Sequence, residues 1–296
     1  MQRYPNFKSS IASRLFGVFA SKEFPSPIQR IINQIYVSMM KVDLMEFEES
    51  SAYKSLNKLF TRKFKTRRLF NINKETVISP CDSLVSAFGT IENALALQIK
   101  GFSYSVRKLL GDYIAKQEKD RLEGGVYVNF YLSPRDYHRY HAPIDMRVTK
   151  ALHIPGKLYP VNFCWLKKVP GLFLENERVV LECYTKENTL FYMVFVGALN
   201  VGKMAFTFDK TIQTNAKESL QQCYLYDNLF LSKGDELGHF EMGSTIVMLF
   251  EKESINLELS GVTHVQFGQP IGGLINGIHA NSASQTVESR DDASLH

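Results

Sequence analysis

Late in the chain a glycine precedes a serine, Gly243-Ser244, just ahead of an apolar run, Thr245 to Phe250, that reads as a strand. Glycine has no side chain to shield its carbonyl from attack. A serine beside it suits a protein that cuts its own backbone and converts the serine into something else. Gly-Ser alone is a common turn dipeptide, so the pair gains meaning only from residues elsewhere. Two histidines, His138 and His141, stand close together between Pro134 and Pro143, beside Arg135 and Asp136. At i,i+3 on a helix they would share a face and could bind metal. The flanking prolines argue against a long helix and no third ligand is apparent, so no metal is expected. A loop of this composition suits proton transfer, because imidazole gains or loses a proton near neutrality. Asp82 lies at a turn between two apolar runs, where aspartate is more often a turn former than a catalyst. Asp82, His141 and Ser244 have the residue types of a triad in the order Asp, His, Ser. A triad is defined by geometry, so the sequence proposes it without establishing it.

These residues need a scaffold. The chain has 296 residues, 45% of them apolar, which is ample for a folded core. The net charge of +5 is too small to argue for nucleic acid. Cys81, Cys164, Cys183 and Cys223 form no CxxC pair and read as reduced thiols in a reducing compartment. No run of about 20 apolar residues predicts a spanning helix, and the N-terminus lacks a convincing signal peptide. There is no P-loop, no GxGxxG after a strand and no Gly-x-Ser-x-Gly elbow.

Residues 1–60 read as helical. Ser26-Pro27 predicts a helix start with a capping hydroxyl, followed by an apolar stripe of Ile28, Ile31, Ile32, Ile35, Met39 and Val42. That stripe fits a helix packed on its own domain, or one that also dips into a bilayer surface. Residues 58–68 carry six basic residues and no acid, a solvated face or a contact for anionic phospholipid. From about residue 76, short Val-, Ile-, Phe- and Tyr-rich runs alternate with turn residues, the signature of an antiparallel β domain. Ser105 to Leu110 reads as a short helix, and from 276 onward the polar chain reads as a disordered tail. The fold class is therefore α+β: a helical region over 1–60, a mainly antiparallel β domain over 61–275, and a tail over 276–296.

Taken together, these segments resemble the phosphatidylserine decarboxylase family, the pyruvoyl-dependent, membrane-associated type. The resemblance rests on Ser133-Pro134-Arg135-Asp136-Tyr137-His138-Arg139-x-His141 and Gly243-Ser244-Thr245. It is supported by Phe60-Thr61-Arg62, Pro155-Gly156-x-Leu158, Asn176-Glu177-Arg178-Val179 and Phe267-Gly268-Gln269-Pro270, and runs from about residue 40 to 273. Two positions depart from it. Met242 stands where leucine is usual, and Cys81-Asp82-Ser83 where Ala-Asp-Gly is usual. Were positive φ required of that glycine, serine would strain the turn.

The resemblance implies a carboxy-lyase that makes its own cofactor. His141, oriented by Asp82, would take the Ser244 proton, and the oxygen would attack the Gly243 carbonyl, turning amide into ester. Loss of the serine α-proton would release chain 1–243, and hydrolysis would leave a pyruvoyl group and ammonia. The pyruvoyl ketone would form a Schiff base with phosphatidylserine and act as electron sink while CO₂ leaves, giving phosphatidylethanolamine. His138 would donate the proton or contact the carboxylate. The implied partners are a phosphatidylserine bilayer and its anionic surface, with both chains staying associated and a homodimer as an option. The implied location is the cytoplasmic side of the cell membrane, peripherally bound. Competing readings are a soluble pyruvoyl amino-acid decarboxylase, a lipid-binding domain without chemistry, and a Ser-His-Asp hydrolase.

Overall fold

A computed structural model describes residues 17–99, 102–198, 203–215, 220–241 and 244–275. Met242, Gly243 and the tail expected from 276 therefore lie outside the described residues. The strands, in chain order, are β1 (Thr76–Ile78), β2 (Ser83–Thr90), β3 (Leu95–Ile99), β4 (Phe102–Ser105), β5 (Val126–Leu132), β6 (Arg139–His141), β7 (Met146–Ile154) and β8 (Arg178–Thr185). They continue as β9 (Leu190–Val196), β10 (Met204–Phe206), β11 (Gln222–Leu231), β12 (Glu236–Phe240), β13 (Ser244–Phe250), β14 (Ile255–Leu257), β15 (Thr263–Val265) and β16 (Pro270–Leu274). All the pairings between these strands are antiparallel. The expected α+β class is what the structure shows.

The main sheet has eight strands in the order β11-β7-β8-β9-β13-β5-β2-β15. Every residue of β9 and β13 is buried. Antiparallel strands usually alternate apolar and polar. These do not, because both faces of the sheet are covered. On one face Ile246, Met248 and Phe250 pack with Phe130, Phe195 and residues of the three-stranded sheets β10-β12-β6 and β1-β16-β14. On the other, Val247 and Leu249 pack with Val106, Leu109, Leu166 and Phe173 from short helical turns. The expected helix after Ser105 is present over Val106–Leu109, and Ser105 accepts its capping bond from the Lys108 amide.

The N-terminal region forms a separate small core of Ala20, Tyr36, Val42, Leu56, Leu59 and Phe60. Two helices supply it, α1 (Ser26–Met40) and α2 (Leu56–Phe60). Two expectations change here. Ser26 does not cap α1: Pro25 occupies the N-cap position and no side-chain cap bond forms. Gln29 reaches back instead and accepts from the Phe24 amide at 3.4 Å. The predicted stripe is also split. Ile32 and Val42 face the small core, while Ile28, Ile31, Ile35 and Met39 are 50–71% exposed. The inward face of α1 holds polar groups that the chain satisfies. Asn33 donates to the Ser50 and Tyr53 carbonyls, and Tyr36 donates to the Pro134 carbonyl at 2.7 Å. The last bond ties α1 to the histidine loop.

Candidate active site

Ser244 opens β13 opposite Leu132, the last residue of β5. Side chains alternate along a strand, so Ser244 shares the face of Ile246 and Met248, and Thr245 takes the other. Ser244 is fully buried and its Oγ has no hydrogen-bond partner. A buried unpaired hydroxyl costs about 1–3 kcal/mol, a cost the neighbouring Thr245 hydroxyl shares. Ser83, at the same end of neighbouring β2, also has an unpaired Oγ. It is not among the positive-φ residues, so serine there brings no left-handed strain beside Asp82.

The chain leaves β5 at Leu132 and enters the histidine loop directly. Asp136 closes it by accepting from the Ser133 amide at 2.7 Å and hydroxyl at 2.8 Å. His138 Nδ1 lies 2.8 Å from the Asp136 carbonyl oxygen. A carbonyl can only accept, so Nδ1 carries the hydrogen and Nε2 presents a lone pair. That Nε2 is buried without a partner. The His138 ring packs 3.9 Å from the Phe60 ring of α2, centroid to centroid. The N-terminal helices thus form one wall of the site.

His141 lies on β6, not in a loop. Its Nδ1 donates to the Gly234 carbonyl at 3.0 Å by the same reasoning, and Tyr137 hydroxyl sits 3.0 Å from its Nε2. The Phe267 ring stacks on it at 3.8 Å. Gly234 has φ +82, and a Cβ there would lie 2.2 Å from the Phe70 ring, so any other residue at the position that supplies the carbonyl would strain the backbone and displace that ring.

Asp82 makes an ion pair with Arg68, Nη1 to Oδ1 2.6 Å, and accepts from the Phe267 amide at 2.7 Å. Arg68 also pairs with Glu46. Among the described residues neither Asp82 nor Ser244 hydrogen-bonds His141, whose two ring nitrogens are taken by Gly234 and Tyr137. What Asp82 and His141 share is Phe267, whose amide holds one and whose ring stacks on the other. Arg68, Tyr137, Gly234 and Phe267 are thus site residues that the search for catalytic types did not single out. Tyr137 and Phe267 stand inside the family-like motifs; Arg68 was hidden in the basic run.

Electrostatics keep both histidines neutral. Burial lowers His138 to about 3, helped by Arg62 and opposed by the Asp136 carbonyl. Burial lowers His141 to about 4, with the Gly234 carbonyl opposing and Arg139, Arg67 and Arg68 adding to it. At neutral pH each is a base in waiting. His239 is likewise lowered to about 4, mainly by burial. In the unfolded chain histidine titrates near ~6.5, so between that value and the folded values the unfolded state binds more protons. Stability is then complete above about pH 6.5 and lost as pH falls toward 4. Moving from pH 7 to pH 5 should cost about 2 kcal/mol for each of the three histidines. Urea midpoints across that range measure it, and a flat profile contradicts neutral burial.

Comparison with known proteins supplies the context. The sequence model of the phosphatidylserine decarboxylase family matches residues 56–273. A phosphatidylserine decarboxylase proenzyme of Helicobacter pylori (strain Shi470) is 47% identical over 274 residues, covering 92% of this chain and 98% of that protein. One from Campylobacter jejuni is 46% identical over 268 residues, covering 89% and 98%. One from Shewanella putrefaciens is 37% identical over 276 residues, covering 90% and 94%. The buried serine, the paired histidines and these near full-length matches together place the chain in the phosphatidylserine decarboxylase family, a family of carboxy-lyases.

Proposed function

We propose that the protein cuts itself between Gly243 and Ser244 and then converts phosphatidylserine to phosphatidylethanolamine and CO₂. The observation that carries this reading is the Ser244 hydroxyl, buried and unpaired at the head of a core strand, in a chain of this family. In the first reaction His141 takes the Ser244 proton and Oγ attacks the Gly243 carbonyl carbon. The peptide C–N bond breaks as the C–O ester bond forms. The Tyr137 hydroxyl now occupies the His141 lone pair, so it must yield that place to the serine. Asp82 acts through Phe267, fixing the ring on which His141 stacks, and Arg68 fixes Asp82.

A pyruvoyl group fits the place of Ser244. Ser244 is fully buried, and Ser83, at the same end of β2, carries a hydroxyl without a partner. That group would supply an electron sink for the carbanion left when CO₂ departs, which hydrogen bonds worth about 1.5–3 kcal/mol each do not. The chain's own part is proton management. His138, neutral with a bare Nε2, takes a proton from the substrate ammonium and returns it to Cα after CO₂ leaves. The released amine regains its proton from solvent. Strand β13 is hydrogen-bonded to β5 and β9 along its length, so the two cut chains stay together.

The exposed Ile28, Ile31, Ile35 and Met39 face of α1 docks on the bilayer that holds the substrate, on the anionic cytoplasmic leaflet. No helix among the described residues is long and apolar enough to cross a membrane. Intact-mass measurement of purified protein tests the whole reading. Two chains are expected, 1–243 and one from 244 lighter by one ammonia than a serine start. A single chain with an unmodified serine would falsify it. The histidines divide the labour: His141→Ala should cleave poorly, whereas His138→Ala should cleave and then decarboxylate at least ~100-fold more slowly, within the usual range for a lost acid–base group. Failure of His138→Ala to cleave would reverse their roles.

A further inference from the structure

Arg62 is a buried cation with most of its donors unused. It is 3% exposed, yet Nε and Nη1 have no hydrogen-bond partner. Its one bond runs from Nη2 to the Arg135 carbonyl at 2.8 Å, and its guanidinium lies 4.5 Å from the Phe47 ring centroid. Among the described residues no carboxylate lies within ion-pair distance of it. Burial lowers its pKa. Asp82 and Asp136 lie near enough to favour its charge without bonding it, so the unused donors of this buried guanidinium are open to a ligand. Arg62 lines a cleft of about 280 Å³ whose wall holds Lys41, Ser83, Arg135 and Tyr137 beside the carboxylates Asp43, Glu46, Asp82 and Asp136. Glu46 and Asp82 are committed to Arg68, and Asp136 to Ser133 and, at 3.8 Å, Arg135. This cleft therefore reaches the catalytic region.

A second cleft of about 360 Å³ adjoins it, lined by Met39, Met40, Leu84, Tyr131 and Pro134. Lys41, Arg135 and His264 line both. Arg135 Nη2 lies 3.4 Å from His264 Nε2. A polar cleft thus joins an apolar one through a cationic neck, and the apolar one begins at the exposed face of α1. A molecule with a small polar head, a single phosphodiester and acyl chains would follow this order of surfaces.

We infer that Arg62, Lys41 and Arg135 form the subsite for the phosphodiester of the phospholipid substrate, with the acyl chains leaving over Met39 and Met40. The inference rests on the decarboxylase reading above and assigns an anion to these residues. The phosphodiester is the right anion for a physical reason. A guanidinium on the substrate carboxylate would stabilise the charge that must be lost as CO₂ departs, and would slow the reaction. The phosphodiester keeps its charge throughout, so holding it fixes the head without opposing the chemistry. Arginine's planar fork suits such a group.

The test uses dihexanoylphosphatidylserine below its micelle threshold, titrated calorimetrically into full-length Ser244→Ala protein. Adding Lys41→Gln and Arg135→Gln together should weaken binding about tenfold or more, and Arg62→Met further than Arg62→Lys. Thermal unfolding identifies any Arg62 variant that has lost its fold, in which case the Lys41 and Arg135 pair decides. Dihexanoylglycerol, which lacks the phosphodiester, should bind with no difference between parent and variants. Unchanged affinity for the soluble phospholipid overturns the subsite. So does weakening seen only on anionic vesicles, which would make these residues surface attractors. Neither result touches the self-cleavage reading, which is decided by the mass of the unmutated protein.

Discussion

The Ser244→Ala protein remains one uninterrupted chain and releases no CO₂ from phosphatidylserine. The expected loss is complete, because one hydroxyl both attacks the Gly243 carbonyl and provides the atoms of the later cofactor. Two features make the experiment clean. Ser244 Oγ has no partner in the fold, so removing it leaves no other group unsatisfied, and stability should hold or rise by up to about 1 kcal/mol. Thr245 also bears an unpaired hydroxyl, but on the opposite face of the sheet, so it cannot stand in. A denaturing gel and an intact mass read the cleavage, and a urea midpoint confirms the fold. Cleavage in Ser244→Ala would move the nucleophile elsewhere.

The parts of the fold that read clearly in the sequence are those where burial dictates composition. β9 and the Ile246 to Phe250 stretch of β13 are runs of Val, Ile, Leu, Met and aromatic residues because packed layers cover both faces of the central sheet. The short helix read over Ser105 to Leu110 is present over Val106–Leu109, with Ser105 as its cap. Ser244, His138, His141 and Asp82 stood out in the sequence because their types and spacing suit chemistry. What joins them was not legible. The Gly234 carbonyl on His141 is a main-chain atom, invisible to any search for reactive side chains. Arg68 reaches Asp82 across fourteen positions, a pairing that only the fold creates.

The basic run shows the same limit from another side. Its six cations look alike in one dimension, as one patch for solvent or lipid. The structure separates them. Arg62 is buried against Phe47, and Arg68 is committed to Glu46 and Asp82. Lys58, Lys63, Lys65 and Arg67 are exposed. Each could add about 1 kcal/mol near an anionic surface. Helix α1 was ambiguous for a related reason. Gln29, Asn33 and Tyr36 recur at helical spacing just as the isoleucines do, and periodicity does not say which face turns inward. The polar set wins because Ser50, Tyr53 and Pro134 carbonyls await it.

That inversion leads to the second large effect. Replacing Ile28, Ile31, Ile35 and Met39 by glutamine should abolish decarboxylation of phosphatidylserine in vesicles while leaving self-cleavage and turnover of a soluble short-chain phosphatidylserine near normal. The four side chains contribute little to the fold, since they already face outward. Burying their exposed halves in a bilayer would contribute about 1 kcal/mol each, about 4 kcal/mol together, or nearly three powers of ten in partitioning. Glutamine keeps helix propensity high, so α1 and its bond to the Pro134 carbonyl survive. Vesicle flotation measures the partitioning, and a parallel assay on monomeric substrate isolates the chemistry. Equal loss in both assays would show that the stripe serves the active site through the histidine loop. No loss in either would leave the bilayer contact to other surfaces, because four exposed apolar residues in register would then have no bearing on where the enzyme finds its substrate.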